Sequence, residues 1–288
     1  MKKVLITGVN GYIGKSFEQW VLQYKNKYTV EKISLRDERW KGSSFKGYDA
    51  VLHTAAIVHV KEDEVENYFK INKELTIEVA KKAKQEGVKQ FIFLSTMGVY
   101  GTETGFITED TLPTPKTDYA KSKYEAEQVL KQIEAPDFNV AILRPPIVYG
   151  KDCPGNYSRL ASLAIKLPFF PAIDNERSMI YIDNLSEFIR LIVDENVSGI
   201  YFPQNKEYVN TTQLVKYVAE SHKKKIKMSK LLNWTVRLGL KHSETLRKVF
   251  GSFVYDKKLP GGHGTFLGGK SINYQTNSFE ESVKKTEM

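Results

Sequence analysis

Tyr119 and Lys123 stand four residues apart in Tyr-Ala-Lys-Ser-Lys, at the start of a stretch with helical periodicity. That spacing puts both side chains on one helix face, one turn apart, whereas Lys121 points away. A free phenol ionises near pH ~10 and is a poor acid–base group at neutral pH. An adjacent ammonium favours the phenolate, so Lys123 is expected to draw Tyr119 toward the working range. Earlier in the chain, the apolar run Phe91-Ile92-Phe93-Leu94 ends in Ser95-Thr96. A Thr96 hydroxyl at the end of a strand can hold the oxygen that exchanges a proton with Tyr119. Each feature alone is common: many helices carry such a pair, and Ser-Thr can simply close a strand with a local turn.

A second constellation, Gly8-Val9-Asn10-Gly11-Tyr12-Ile13-Gly14, lies between an apolar run and an amphipathic one. Gly8 permits a tight turn, Gly11 a close backbone approach to a pyrophosphate, and Gly14 close packing of helix on sheet. The amide groups at the helix start then face the phosphates, where the helix dipole favours negative charge. An acidic residue about 20 positions on would hold the adenosine ribose. That place falls on Ser34, with Arg36 following where a 2′-phosphate can be gripped and Asp37 close behind. The pattern therefore leaves both NADP and NAD open.

These groups need a scaffold that brings strand ends and helix starts to one edge. The sequence predicts strands at 3–7, within 29–35, at 50–53, 90–95 and 139–143, alternating with helices at 12–24, 64–86 and 119–133. Such alternation makes an α/β fold, a doubly wound parallel sheet covered on both faces. After Arg144-Pro145-Pro146 prolines punctuate the chain and helices dominate, at 183–194, 212–222 (with Asn210 as N-cap), 229–240 and 243–251. Residues 1–150 read as a dinucleotide-binding domain. Residues 151–288 read as a smaller, mostly helical substrate region, of which 178–200 returns to the first domain. The last ten residues carry no assigned structure.

The composition, 41% hydrophobic and 27% charged, excludes a disordered or fibrous chain. No apolar run approaches the ~18 residues of a membrane span. Gly8, Asn10, Gly11 and Gly14 interrupt the only signal-like start, and one cysteine, Cys153, cannot form an internal disulfide. A reducing cytoplasm is the expected location. The net charge of +9 resides in one segment: twelve Lys and Arg against three acidic residues between Lys216 and Lys258. So local a patch argues against nucleic acid, and suits an anionic substrate, an acidic partner, a membrane face or plain solvent. Within it, 229–240 sets Leu231, Leu232, Val236, Leu238 and Leu240 among lysines. That pattern fits a helix packed on the core with a basic outer face, and less readily a peripheral membrane contact.

Together, the glycine turn, the strand-end hydroxyl and the tyrosine–lysine pair resemble the extended short-chain dehydrogenase/reductase family, whose sheet is of the Rossmann type. Val51-Leu52-His53-Thr54-Ala55-Ala56, Asn72, Leu94-Ser95-Thr96 with Val99-Tyr100-Gly101, Arg144 to Gly150 and Arg177 to Asp183 also fit its pattern. The resemblance implies a catalytic trio of Thr96, Tyr119 and Lys123, with Asn72 supporting the lysine through water. It implies a dinucleotide held by Gly8, Gly11, Tyr12, Ile13, Gly14, Ser34, Leu35, Arg36, Ala55, Ala56 and Pro146 together with Tyr119 and Lys123. Substrate contacts fall to Thr96, Asn156 and Arg177, with Arg159 a lesser candidate, and no metal is implied.

Dehydratases of this family carry Asp-Glu after the threonine. Met97-Gly98 stands there instead, and neither can exchange a proton. Ile147 occupies the place of an epimerase asparagine, and the 29–48 region is short. The expectation is thus a 4-keto reductase of a UDP-2-acetamido-2,6-dideoxy-4-hexulose in surface (capsule) polysaccharide biosynthesis. The alternative is a UDP-sugar 4-epimerase of the UDP-glucose or UDP-GlcNAc type, with tightly bound NAD. A scaffold that keeps the cofactor site without turnover is a third possibility, weakened by the intact trio. The resemblance also implies a homodimer built on helices 64–86 and 119–133.

Overall fold

The computed structural model describes residues 1–58 and 64–288. Six parallel strands form the central sheet: β1 (Lys2–Thr7), β2 (Tyr28–Ile33), β3 (Ala50–His53), β4 (Gln90–Leu94), β5 (Asn139–Leu143) and β6 (Gly199–Tyr201). Their order across the sheet is β6-β5-β4-β3-β1-β2, so the winding reverses between β1 and β3. That reversal opens a crevice at the carboxyl ends of the strands, where folds of this kind bind ligands. The register is regular, with Val4 beside Val30 on one side and beside Ala50 on the other.

Both faces are covered. Helices α1 (Tyr12–Val21) and α6 (Ile182–Glu195) press Phe17, Val21, Leu185, Phe188, Ile189 and Ile192 against one side. Against the other lie α3 (Thr76–Gln85) and α4 (Asp118–Ile133), with Val79, Ala80, Ala83, Ala126 and Leu130. Strand β3 is buried along its whole length, which is why it reads as apolar up to His53, whose ring is bonded to Thr7 and Thr76.

Helix 64–86 is broken into parts: α2 (Glu66–Phe69), a π-helical turn (Lys70–Leu75) and α3. The extra residue of a π turn is a local irregularity that often marks a functional site, and here it carries the buried Asn72. Helix α1 stops at Val21, three residues early. Helix α4 starts one residue early, because the Thr117 hydroxyl accepts from the Ala120 amide as its N-cap.

Beyond β5, α5 (Asn156–Lys166), α7 (Thr211–Ser221), α8 (Asn233–Leu240) and α9 (Glu244–Phe250) build a second core around Tyr149, Tyr157, Phe170, Leu214 and Phe250. Asn210 caps α7 as expected, its side chain accepting from the Gln213 amide at 3.1 Å. The last ten residues correct the expectation of an unstructured tail. Ser278-Phe279-Glu280-Glu281 forms a capping box that opens α10 (Phe279–Glu287), whose Phe279 and Val283 enter the second core. The signal was in the sequence: serine followed three residues later by glutamate.

Segment 229–240 also differs. It is a short strand (Lys227–Ser229) and a 3-10 turn (Lys230–Leu232) leading into α8, and of α8 only Val236 is buried. The expected core-packed face with a basic outer face is formed only in part: Val236 and Leu240 pack on the second core, whereas Leu231, Leu232 and Leu238 are exposed. No helix among the described residues is long and apolar enough to cross a membrane.

Candidate active site

The glycine turn leaves β1 at the reversal of the winding. Gly8 adopts φ +87°, a left-handed conformation that side chains resist, and its amide donates to Ile33 O at 3.1 Å. All three glycines make room for the strand end of β3. A Cβ at Gly8 would meet Ala55 N at 2.9 Å, one at Gly11 would meet Thr54 Oγ1 at 3.1 Å, and one at Gly14 would meet Ile6 Cγ2 at 2.9 Å and Thr54 Oγ1 at 3.0 Å. Thr54, donating to Thr7 O at 2.6 Å, is thus the wedge around which the turn is built. The cradle suits a dinucleotide pyrophosphate: the backbone is bare, the helix N-terminus faces it, and no acidic side chain stands in the first turn of α1.

Ala55 lines the turn through its backbone. Ile13 packs between the first and second cores. Tyr12 leans on the second core, with its hydroxyl beside Gly150 and without a hydrogen-bond partner among the described residues. Burial pushes the ionisation of that phenol up. Leu35 packs beneath the sheet, while Ser34 and Arg36 are exposed past the end of β2. Ser34 accepts from the Arg36 amide, and Asp37 is engaged by Arg39 at 2.6 Å. Arg36 is the cation left at the place expected for a ribose phosphate.

Tyr119 stands in the first turn of α4, half-buried, its ring edge-on to Tyr68 at 6.1 Å and 64°. Lys123 is buried one turn on and donates to Leu94 O at 2.9 Å, with Phe93 beneath its ammonium at 4.6 Å. The electrostatics correct the expectation of a phenol made acidic by its neighbour. Burial, reinforced by Tyr68, pushes Tyr119 up to about 12, and burial draws Lys123 down to about 7. Desolvation outweighs attraction because the lysine faces the β4 carbonyl, and no hydrogen bond joins it to the phenol among the described residues. The tyrosine therefore holds its proton, the state needed to donate one. Asn72 makes no direct hydrogen bond to Lys123 among the described residues. It clasps the Ile57 backbone at 2.9 and 3.0 Å and donates to Ser122 Oγ at 3.3 Å, tying the strand end of β3 to α4.

Thr96 caps a 3-10 turn, its hydroxyl accepting from the Gly98 amide at 3.0 Å. It lines a cleft of about 220 Å³ with Met97, Gly98, Pro146, Asn156 and Arg177, which joins the predicted substrate residues to one of the predicted cofactor residues. Arg159 is exposed and does not line the cleft, nor do Tyr119 and Lys123. Arg177 is only 6% exposed. Its Nη1 donates to Gly251 O at 2.8 Å and to Arg247 O at 3.2 Å, while Nε has no partner among the described residues. A buried guanidinium with a spare donor, and no carboxylate bonded to it among the described residues, fits an anion.

Three groups escaped the sequence reading. Glu103 and Lys248 line the cleft 3.7 Å apart, brought from distant segments, and burial raises the Glu103 carboxyl above its ordinary range. Glu127, wholly buried, pairs with Arg144 at 2.5 and 3.1 Å and accepts from Ser95 Oγ. Arg144 also donates to the Tyr100 hydroxyl at 2.9 Å. This cluster fixes both cleft walls, Ser95-Thr96 and Pro145-Pro146. A signal existed, since Tyr119, Lys123 and Glu127 recur every four residues on one helix face.

Residues 4–202 match the NAD dependent epimerase/dehydratase family. A UDP-glucose 4-epimerase of Vibrio cholerae is 31% identical over 249 residues, 76% of this chain and 75% of the relative. An N-acetyl-alpha-D-glucosaminyl-diphospho-ditrans,octacis-undecaprenol 4-epimerase of Escherichia coli O157:H7 is 29% identical over 77% of this chain and 73% of its own. Among solved structures, a variant of the UDP-glucuronic acid 4-epimerase from Bacillus cereus, in complex with UDP-4-deoxy-4-fluoro-glucuronic acid and NAD, superposes with a TM-score of 0.71. It does so at 19% identity, over 99% of this chain and 98% of the other. With the glycine cradle, the strand-end threonine and the tyrosine–lysine pair in place on a parallel sheet, this chain belongs to the NAD-dependent epimerase/dehydratase family, as an NAD(P)-binding oxidoreductase.

Proposed function

We propose that this protein inverts the C4 configuration of a UDP-linked hexose of the UDP-glucose or UDP-N-acetylglucosamine type. The observation that carries the substrate class is Arg177: a buried cation that lines the Thr96 cleft, its Nε without a partner among the described residues, suited to a diphosphate. Asn156, exposed in the first turn of α5, supplies an amide beside it. The choice of C4 inversion is supported by the two relatives near 30% identity, both 4-epimerases by name. Met97-Gly98 after the threonine offers no acid or base for water loss.

When bound, the nicotinamide supplies a reversible hydride acceptor. The chain's own residues handle the proton: Tyr119 exchanges it with the sugar O4, and Thr96 orients that oxygen. Lys123 supplies the positive charge that ionisation of the phenol requires. Lys123, which donates to Leu94 O in the free protein, would also hold a ribose hydroxyl of the bound dinucleotide. The cradle at Gly8, Gly11 and Gly14, with Ser34, Arg36 and Ala55, holds the dinucleotide. A homodimer built on the helices spanning 66–85 and 118–133 is part of the proposal.

A second reading, the 4-keto reductase of surface-polysaccharide synthesis, is favoured by one observation. Asp37 is engaged by Arg39, which leaves Arg36 available for the phosphate of NADP. Incubating the purified protein with UDP-glucose or UDP-N-acetylglucosamine, without added reductant, separates the two. Formation of the C4 epimer to equilibrium supports the epimerase. Stoichiometric oxidation of NADPH with a UDP-4-keto sugar, and no epimer, overturns it in favour of the reductase.

A further inference from the structure

The segment leading into α8 turns its apolar side chains outward. Leu231 is 83% exposed, Trp234 65% and Leu238 56%. Spaced three and four residues apart, they form one stripe along the 3-10 turn and the helix. Phe169, also exposed, lies alongside on the strand Phe169–Pro171, paired in register with Lys227.

The rim is cationic. Lys223, Lys224, Lys225, Lys227, Lys230, Arg237 and Lys241 are all exposed. None of the seven makes an ion pair among the described residues. The nearby carboxylates are spent elsewhere, Glu220 on Lys216 at 3.8 Å and Glu244 on Lys248 at 2.5 Å.

We infer that this face is a docking surface for an anionic phospholipid bilayer, with Leu231, Trp234 and Leu238 entering the headgroup region and the basic rim lying on the lipid charges. Tryptophan and leucine on one side of a short helix, with lysines around them, suit the boundary between headgroups and acyl chains. Unpaired lysines add an attraction that acts within a Debye length of a negative leaflet. A second copy of this chain would set the same seven cations against themselves. A nucleic acid would answer the charge but leave the aliphatic stripe in water.

The surface is continuous with the cleft through packing. Helix α8 packs tightly on α9, where a Cβ on Gly239 would meet Leu246 Cδ1 at 2.2 Å. Helix α9 in turn carries Lys248 of the cleft wall and the Arg247 carbonyl that holds Arg177.

Co-sedimentation of the full chain with vesicles containing phosphatidylglycerol, against vesicles of phosphatidylcholine alone, tests the inference. Binding to the anionic vesicles at low salt is expected, at least tenfold weaker on the neutral ones and at about 0.5 M salt. The variant Leu231→Ser/Trp234→Ser/Leu238→Ser should lose at least tenfold of that binding, with unchanged thermal midpoint and unchanged turnover of a soluble substrate. Lys223→Glu/Lys224→Glu/Lys225→Glu should lose it on anionic vesicles only. Absence of binding at low salt, or binding unaffected by either variant, would overturn the inference. So would sedimentation velocity showing that the leucine–tryptophan variant converts a dimer to a monomer, since a second copy would then be what covers the stripe.

Discussion

Lys123 is expected to cost the free protein stability, and that cost should depend on pH. The side chain is 2% exposed, and among the described residues it has one hydrogen bond, to Leu94 O, and no carboxylate of its own, since Glu127 is held by Arg144. The nearby His53 is bonded to Thr7 and Thr76 and kept neutral, drawn down to about 3 by burial. Burial brings Lys123 from an ordinary value near ~10.4 to about 7. Between those values the unfolded chain binds a proton that the native state does not, so stability rises with pH across this window. Below about pH 7 both states are protonated and the penalty is complete. At ~1.4 kcal/mol per pH unit it amounts to about 5 kcal/mol.

Lys123→Met removes that penalty but leaves Leu94 O unpaired, at a cost of about 1–3 kcal/mol. The variant should therefore be more stable than the parent at pH 6.5 by about 2–4 kcal/mol, and inactive. The parent should regain about 3 kcal/mol relative to it between pH 7 and 9.5. Urea unfolding of both proteins across that range provides the measurement. A difference that stays flat with pH, or a variant less stable at pH 6.5, would refute the reasoning.

Tyr119→Phe keeps the ring contact with Tyr68 and removes only the hydroxyl, so turnover should fall ~10²–10⁴-fold with little change in thermal midpoint; near-normal turnover would exclude Tyr119 as the proton carrier. Glu127→Gln strands the Arg144 guanidinium in the interior, with an expected loss of about 3–5 kcal/mol in urea unfolding. A loss below about 1 kcal/mol would mean that the pair does not hold the cleft walls.

Much of the scaffold was legible because its physics is local. The strand–turn–helix at 2–21 announces itself by an apolar run, glycines and an amphipathic period, and all three glycines prove to be sterically required. Asn210 and Ser278 cap helices through contacts three residues away, a signal that lies within each local sequence. What misled was the assumption that an apolar period means a buried face. At 229–240 the period is real, yet the neighbouring chain leaves the stripe outside, and no local rule decides which side the core will occupy.

The residue types that can move a proton and bind a dinucleotide were determined by the sequence alone, since they follow from side-chain chemistry and short-range spacing. Which of them meet was decided by tertiary structure. Burial moved Tyr119 further from ionisation and drew Lys123 toward neutrality, the reverse of what their spacing alone led one to expect. Arg177, Glu103 and Lys248 come from segments far apart, and only the closure of the second core brings them to Thr96. Desolvation and long-range packing are properties of the folded whole, and they depend on neighbours that sequence spacing does not reveal.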